Sequence, residues 1–548
     1  LQFQNPSQHA QVAGQDPHAT INAPIHRWTH VPSTSHQGVV SVVGDYTYTV
    51  TPRYFDDQQR MQPLDESLSA SVTMAVGPFR KGALALGFTR GYMQSQAFVH
   101  HFGAQALLQP SNRPLLFDTS SQAGTNSAGQ SFTFDDEYAW MGATARQQIF
   151  AILNAVLNDE SLQLKVFAYD LNEPDVLKIL LALGKDGRVQ IILDNASLHV
   201  SSGGKTTPED AFTKQFQQVA KAPAAIVRGS FDRFSHDKIF IILKNGVATQ
   251  VLTGSTNFSV TGLYVNANHV LVFDDATVAN EYDKVFDESW QILKGTKTPS
   301  VKAASEFAAT ALATQPFSFW SPSVPKMSIT FSPHSKTDAA TILNALSARI
   351  KSEASASKGS VLFAVMQLTQ SQTPVYETLK SLFGNTALYS YGISDSPGGT
   401  HLYAPGSKAG VLVTGKPGKT TLPAPFDQVP SPPGHEIHDK FVVCGLSGDD
   451  PVVYCGSSNL ASGGEQANGD NLLEIHDEDV ATVFAIEALL LVDHYNFLDR
   501  FSKAQQSRGV AKSTRKGKAK AKPNRNTSTR KASTRRKSVK NKSVKKRA

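Results

Sequence analysis

Two similar α/β halves packed as a pseudo-dimer are the architecture this sequence predicts. Three observations carry the prediction. A strand–helix–strand rhythm runs through the chain twice, and the tetrapeptide Ile-Leu-Asn-Ala marks both rounds, at 152–155 and 342–345. A longer phrase also recurs: His236-Asp237-Lys238 with Gly254-Ser255-Thr256-Asn257, then His438-Asp439-Lys440 with Gly456-Ser457-Ser458-Asn459. The His-to-Gly offset is 18 in both copies. At 548 residues the chain is also too long for one ordinary core.

The elements follow in order. Residues 1–37 are polar with scattered Pro and His, and read as a flexible lead-in. Their five histidines (His9, His18, His26, His30, His36) are irregularly spaced and read as solvated. A β-rich N-terminal region, 38–136, is predicted from β-branched or alternating runs at 39–43, 46–50 and 67–76. The first half, 137–295, opens with helical periodicity over 138–157. A strand at 164–169, a helix at 175–183 and a strand at 189–193 follow. The second half, 327–505, repeats the rhythm with a helix at 338–350, a strand at 360–365, a helix at 375–383 and a strand at 387–391. Strands alternating with helices predict a mixed sheet covered on both faces. The joint falls in the Ser/Thr/Pro/Ala-rich stretch 296–326. A second-half loop, 405–435, rich in Pro, Gly and Lys, accounts for the longer spacing there.

Charge is unevenly placed. The overall balance is +7, yet 17 of the 53 basic residues lie between Lys512 and Arg547, a stretch without Asp or Glu. The remainder holds 36 basic against 46 acidic residues. An acidic body therefore carries a basic tail, 511–548, too poor in apolar side chains to fold. Such a tail suits anionic membranes or nucleic acid, or serves only as a solubiliser. No apolar run reaches the length of a membrane span. The chain begins at Leu1, which fits a removed leader and a trimmed chain equally; the compartment is not legible. Two cysteines, Cys444 and Cys455, flank a turn-like stretch. They read as two small buried hydrophobes, with a hairpin disulfide as the alternative.

The repeated phrase carries the chemistry. Each His-x-Lys leads into a strand, so His236 and Lys238 share a face while Asp237 points away; the same holds for His438, Lys440 and Asp439. The next strand ends in Gly-Ser-x-Asn, where glycine frees the backbone and Ser and Asn offer donors. Across a two-fold-like interface the halves assemble two His, two Lys, two Asn and two Ser, a cationic pocket for one phosphoryl group. His435 reads as a loop residue and His476 as incidental. His100-His101 lacks partners at ligand spacing, so no metal site and no cofactor are expected.

With these residues in place, the chain resembles the phospholipase D superfamily, the "HKD" phosphodiesterases, over roughly 138–500. The resemblance implies a metal-free double displacement. One His attacks phosphorus to give a phosphohistidine; the other protonates the leaving oxygen and then activates water or an acceptor alcohol. Lys238, Lys440, Asn257 and Asn459 would hold the non-bridging oxygens, with Ser255, Ser457 and Asn268 as further substrate contacts. The chain departs from the family pattern in two ways. Leu243 and Gly445 stand where an Asp is usual. At the orienting position, 32 residues past each His, it carries Asn268 and Asp470. Asp470 would orient and stabilise His236, whereas Asn268 could orient His438 without neutralising it. His236 is therefore expected as nucleophile and His438 as acid.

A phospholipase D-type lipid hydrolase or transferase, a nuclease with the tail as anchor, and a degenerate scaffold all fit. The balance tips to a lipid-type phosphodiester, with Leu402, Val411 and Leu412 as lipid-touching loop residues. A monomer with an internal pseudo-two-fold axis is expected.

Overall fold

The computed structural model describes residues 6–16, 19–24, 44–91, 96–103, 106–296, 300–368, 373–396, 399–404, 410–414 and 436–496. The expected strand at 39–43, the basic tail, His18, His26, His30, His36, His435 and most of the loop 405–435 lie outside these residues.

Two mixed sheets form the body. The first has eight strands in the order Arg80–Lys81, Leu84–Phe88, His269–Phe273, Val247–Gly254, Ile239–Lys244, Leu162–Ala168, Val189–Leu193, Ala225–Arg228. The last three run parallel, as strands linked by crossover helices must, and the rest are antiparallel. The second sheet repeats that order with Lys326–Ser332, Asn468–His476, Val452–Gly456, Lys440–Cys444, Ser360–Val365 and Tyr389–Ser396. Phe317–Phe319 extends one of its edges, and Gly399–Tyr403 and Val411–Thr414 extend the other.

The strand Leu84–Phe88, read with the N-terminal region, thus occupies the place in the first sheet that Lys326–Ser332 holds in the second. Leu84, Ala85 and Leu86 are buried. A short run apolar on both faces needs cover on both, and inside the sheet Leu84 and Leu86 face one core while Ala85 faces the other.

Residues alternate between cores along each strand. Phe240 and Ile242 face an outer core beneath the helices Phe134–Asn158 and Pro174–Lys185. Val442 and Cys444 do the same beneath Lys336–Ser352 and Pro374–Leu382. Ile239, Ile241, Phe441 and Val443 face a central core shared by both sheets, the helix Ala276–Leu293 and the helical stretch 478–496. This shared apolar layer joins the halves and brings the two motif strands together.

Several details depart from the sequence reading. Part of the lead-in is held against the N-terminal β region: the Arg53 guanidinium donates to the carbonyls of Ile21 (2.9 Å) and Ala10 (2.7 Å). His9 accepts from the Met61 amide (3.1 Å), so it is tied to the fold rather than merely solvated. The joint 296–326 contains the helix Val301–Ala308, whose Ala303, Ala304 and Phe307 enter the central core. Cys444 pairs with Val452 in the hairpin, which sets Cys455 beyond it and on the opposite face. Both thiols are free and buried, and a one-face disulfide is ruled out by this register. Leu402 is buried in the central core and Val411 is half exposed; both lie on strands rather than loops.

Candidate active site

The two motifs lie where the halves exchange backbone. Phe234–Ser235 runs parallel to Asn468–Gly469 of the second half, and the His236 amide donates to the Gly469 carbonyl (2.8 Å). The counterpart crossing joins Ala267 to Ile437, with the His438 amide donating to the Ala267 carbonyl (3.1 Å). Each histidine is therefore held by the residues just ahead of the other half's orienting position.

Those orienting positions close on the rings. Nδ1 of His236 lies 2.7 Å from Oδ1 of Asp470, and Nδ1 of His438 lies 2.8 Å from Oδ1 of Asn268. An Nδ1–H donated to either oxygen leaves Nε2 as the reactive nitrogen. Burial, aided by Lys238 and Lys440, holds His236 below the usual imidazole range against the opposing pull of Asp470. Despite burial, the His236 ring and Lys238 hold Asp470 below the ordinary carboxylate range. The pair is thus a neutral imidazole on an ionised carboxylate.

Both lysines are buried beneath the site. Burial brings Lys238 down to about 8 and Lys440 well below the usual amine range; Lys238 adds to the depression of Lys440. Lys238 donates to the His236 carbonyl and sits over the Tyr169 ring, its Nζ 4.9 Å from the centroid. Lys440 donates to the His438 carbonyl (2.7 Å) and reaches Sδ of Met366 (3.7 Å). Ammonium groups so placed gain most from an entering anion.

The Gly-Ser-x-Asn turns are built alike. Gly254 and Gly456 have φ of +141° and +140°, and a Cβ on either would come within 2.4 Å of the carbonyl oxygen of His269 or Asn471. Glycine is required at both by conformation and by space. The following serines differ from expectation. Ser255 and Ser457 are fully buried and donate to Oδ1 of Asn268 (2.8 Å) and Oδ1 of Asp470 (2.7 Å). Their hydroxyls position the orienting residues rather than facing substrate. Asn268, itself fully buried, has its amide on the Gly262 carbonyl (2.9 Å) and likewise serves His438. Asn257 donates Nδ2 to Asp170 (2.8 Å). Oδ1 of Asn257 and of Asn459 has no hydrogen-bond partner among the described residues.

The sequence reading missed the middle residues of the motifs. Asp237 accepts from Nδ2 of Asn471 (2.7 Å), and Asp439 pairs with Nδ1 of His269 (2.7 Å), each across the interface. Burial and the nearby Asp470 raise Asp237 to about 7. The signal was present: 269 and 471 directly follow the two orienting positions and share an offset of 33 from the motif histidines. Tyr169, Asp170 and His199 were also missed, since the second half repeats none of them. Among the other histidines, His476 pairs with Asp450 (2.8 Å) and Glu474 (3.2 Å) away from the site, and His101 packs on Trp140. The grouping able to bring three metal-ligand atoms together among the described residues is Asp170, His199 and Glu209. No helix of the described residues is long and apolar enough to cross a membrane.

Known proteins resemble parts of this chain. The family described as "Cardiolipin synthase, PLD-like domain" matches residues 153–290. A mitochondrial cardiolipin hydrolase of Xenopus laevis is 28% identical over 132 residues, 24% of this chain and 55% of that protein. The chain thus spans about half the length of this curated relative. Among solved structures, phosphatidylserine synthase of Haemophilus influenzae Rd KW20 is 12% identical, with a TM-score of 0.43, covering 69% of this chain and 93% of that one. The phospholipase D family member Nuc of Salmonella typhimurium is 22% identical, with a TM-score of 0.21, covering 26% and 86%. Residues 153–290 thus match a phospholipase D-like domain, and a His-x-Lys and Gly-Ser-x-Asn set stands in each half of the chain.

Proposed function

We propose that the protein is a metal-independent phosphodiesterase of the phospholipase D type, working through a phosphohistidine on His236. One observation carries the reading: each motif imidazole has its Nδ1 engaged by a residue of the opposite half, His236 by a carboxylate and His438 by an amide. In the first step Nε2 of His236 attacks phosphorus. The P–N bond forms, the bond to the leaving oxygen breaks, and His438 gives that oxygen its proton. In the second step His438 takes a proton from water or an acceptor alcohol, whose oxygen displaces Nε2. Lys238, Lys440, Asn257 and Asn459 hold the non-bridging oxygens as charge builds. Asp470 stabilises the positive charge that His236 carries once phosphorylated. Asn268 lets His438 pass between acid and base without fixing its charge.

A lipid phosphodiester is the favoured substrate. Leu198 and Val200, on either side of His199 in the chain, are exposed, and exposed apolar side chains suit an acyl-chain interface. The relatives named as cardiolipin hydrolases support the same class. A nucleic-acid substrate is the second reading. Arg233 over the Phe234 ring (5.2 Å), with Tyr169 edge-on to Phe234 (5.3 Å), is a platform on which a base could stack, and the basic tail could hold a polyanion. The test is a parallel assay without added metal on phospholipid vesicles containing cardiolipin, on plasmid DNA and on bis(p-nitrophenyl) phosphate. His236→Ala and His438→Ala serve as controls. Lipid turnover lost in both variants and unchanged by EDTA is expected. DNA cleavage lost on deleting 512–548, with lipid untouched, selects the nuclease. No turnover of any of the three leaves the scaffold.

A further inference from the structure

The first half holds a charged pair that has no counterpart among the described residues of the second half. His199 lies between two carboxylates, with Nδ1 2.7 Å from Asp194 and Nε2 2.8 Å from Asp170. Asp170 uses its other oxygen to accept from Nδ2 of Asn257 (2.8 Å). The ring of the intervening Tyr169 contacts both imidazoles edge-on, at 4.5 Å from His199 and 4.8 Å from His236. Strand register gives the second-half equivalents. Ile239 faces Phe167 and Phe441 faces Ala364, so Tyr169 corresponds to Met366 and Asp170 to Gln367. The parallel pairs Ala168–Leu193 and Ala364–Ile393 make Asp194 equivalent to Asp395. Both aspartates brace the chain ahead of their motif, Asp194 through the Ser235 amide (2.6 Å) and Asp395 through the Glu436 amide (2.6 Å). Five residues past Asp194 stands His199; five past Asp395 stands Thr400, whose hydroxyl reaches Asp395 (3.2 Å). The bracing aspartate is common to both halves. Among the described residues, the carboxylate on the asparagine and the imidazole that balances it belong to the first half.

We propose that Asp170 and His199 are positioning residues that fix Asn257 as a phosphoryl-oxygen donor on the nucleophile side, with His199 cancelling the charge that Asp170 would otherwise present to an anionic substrate. The proposal rests on the phosphodiesterase reading above. The physical need is plain: Asp170 is about one-third exposed (36%) beside a pocket for an anion, and an uncompensated carboxylate there repels the substrate. The balancing charge is present. Burial opposes it, but the hydrogen bonds that the ring donates to Asp170 and Asp194 prevail and raise His199 to about 10. Holding a donor in its reactive orientation raises turnover more than affinity, whereas removing a repulsive charge acts on affinity.

The two roles separate by sign. In Asp170→Asn the one remaining oxygen is kept by Nε2–H of His199, which Asp194 still holds charged, so the new amide N–H faces Nδ2 of Asn257 and releases it while the pocket becomes more cationic. For the full chain acting on bis(p-nitrophenyl) phosphate, kcat should fall tenfold or more while the Ki of inorganic phosphate stays level or drops. His199→Asn leaves Asp170 uncompensated, so KM and the phosphate Ki should rise fivefold or more, with a smaller change in kcat. The double variant should return Ki to within twofold of the parent and keep the low kcat of Asp170→Asn. An Asp170→Asn enzyme with kcat within twofold of the parent overturns the positioning role. A phosphate Ki unmoved by His199→Asn overturns the charge role. If His199→Asn does not fold, Asp170→Asn decides: kcat and phosphate affinity lost together means a merely structural role. If the parent turns over no phosphodiester, the function reading fails on its own. Calorimetric phosphate binding to Asp170→Asn then judges the pair, and weakened binding overturns it.

Discussion

Asp470 and His236, 234 residues apart in the chain, meet at 2.7 Å between Oδ1 and Nδ1, with both side chains buried. The matching contact in the other direction replaces the carboxylate with the amide of Asn268 on His438 (2.8 Å). Two otherwise similar histidines are thus given different chemistry: one can carry lasting positive charge against a carboxylate, the other gains only orientation.

Exchanging those residues should affect separate steps. Asp470→Asn removes the charge that stabilises phosphorylated His236, and kcat should fall about 10²–10⁴-fold. Asn268→Asp gives His438 a carboxylate and favours its protonated form. Leaving-group departure should persist while hydrolysis of the intermediate slows, seen as a burst in rapid-quench kinetics. Equal losses in both steps for the two variants would contradict this division.

Activity should decline in alkali. Burial lowers Lys238 to about 8. Below that pH its ammonium is available to the phosphoryl oxygens; above it the charge is lost, so kcat/KM should fall as pH rises through about 8. Lys238→Gln should remove this limb and lower kcat/KM about 10²-fold below pH 8, with the two profiles converging above it. A flat profile to pH 9.5 in the parent would exclude Lys238 as a charge-bearing group.

Glu137 offers a stability test away from the chemistry. It is fully buried near the start of the helix Phe134–Asn158, and neither carboxylate oxygen has a hydrogen-bond partner among the described residues. Burial raises it to about 8, with Asp136 adding to the effect. The sign follows by linkage. In the unfolded chain the group ionises near 4.5, whereas in the folded protein it stays protonated up to about 8, so stability is lost as pH rises across that interval. Glu137→Gln should raise Tm by about 2–4 °C at pH 8 and change it little at pH 5. Scanning calorimetry checks this; a larger gain at pH 5 would reverse the sign.

Much of this was legible in the sequence, and the reasons are specific. Val189–Leu193 and Ser360–Val365 were delimited to the residue, because buried parallel strands read as short runs rich in Val, Ile, Leu and Phe. The motif pair was legible because duplication wrote it twice. The Asp470 and Asn268 contacts were legible for the same reason, through a shared offset. What stayed hidden lacks a repeat or depends on packing. The buried roles of Ser255 and Ser457 depend on how tightly the turn folds onto the opposing strand. The hairpin register that separates Cys444 from Cys455 is set by which strand faces which core, not by the turn between them. His199 and Asp170 have no second copy, so nothing in the linear sequence linked them to Asn257.

The most direct test of the account is to trap the covalent intermediate. A substrate labelled with ³²P at the scissile phosphate is mixed with the parent, His236→Ala and His438→Ala proteins, quenched in alkali to preserve phosphoramidate, and mapped by peptide mass spectrometry. With a leaving group that needs no protonation, label should accumulate on His236 in the His438→Ala protein and be absent from His236→Ala. Label on His438 in the His236→Ala protein, with none on His236, would contradict the assignment.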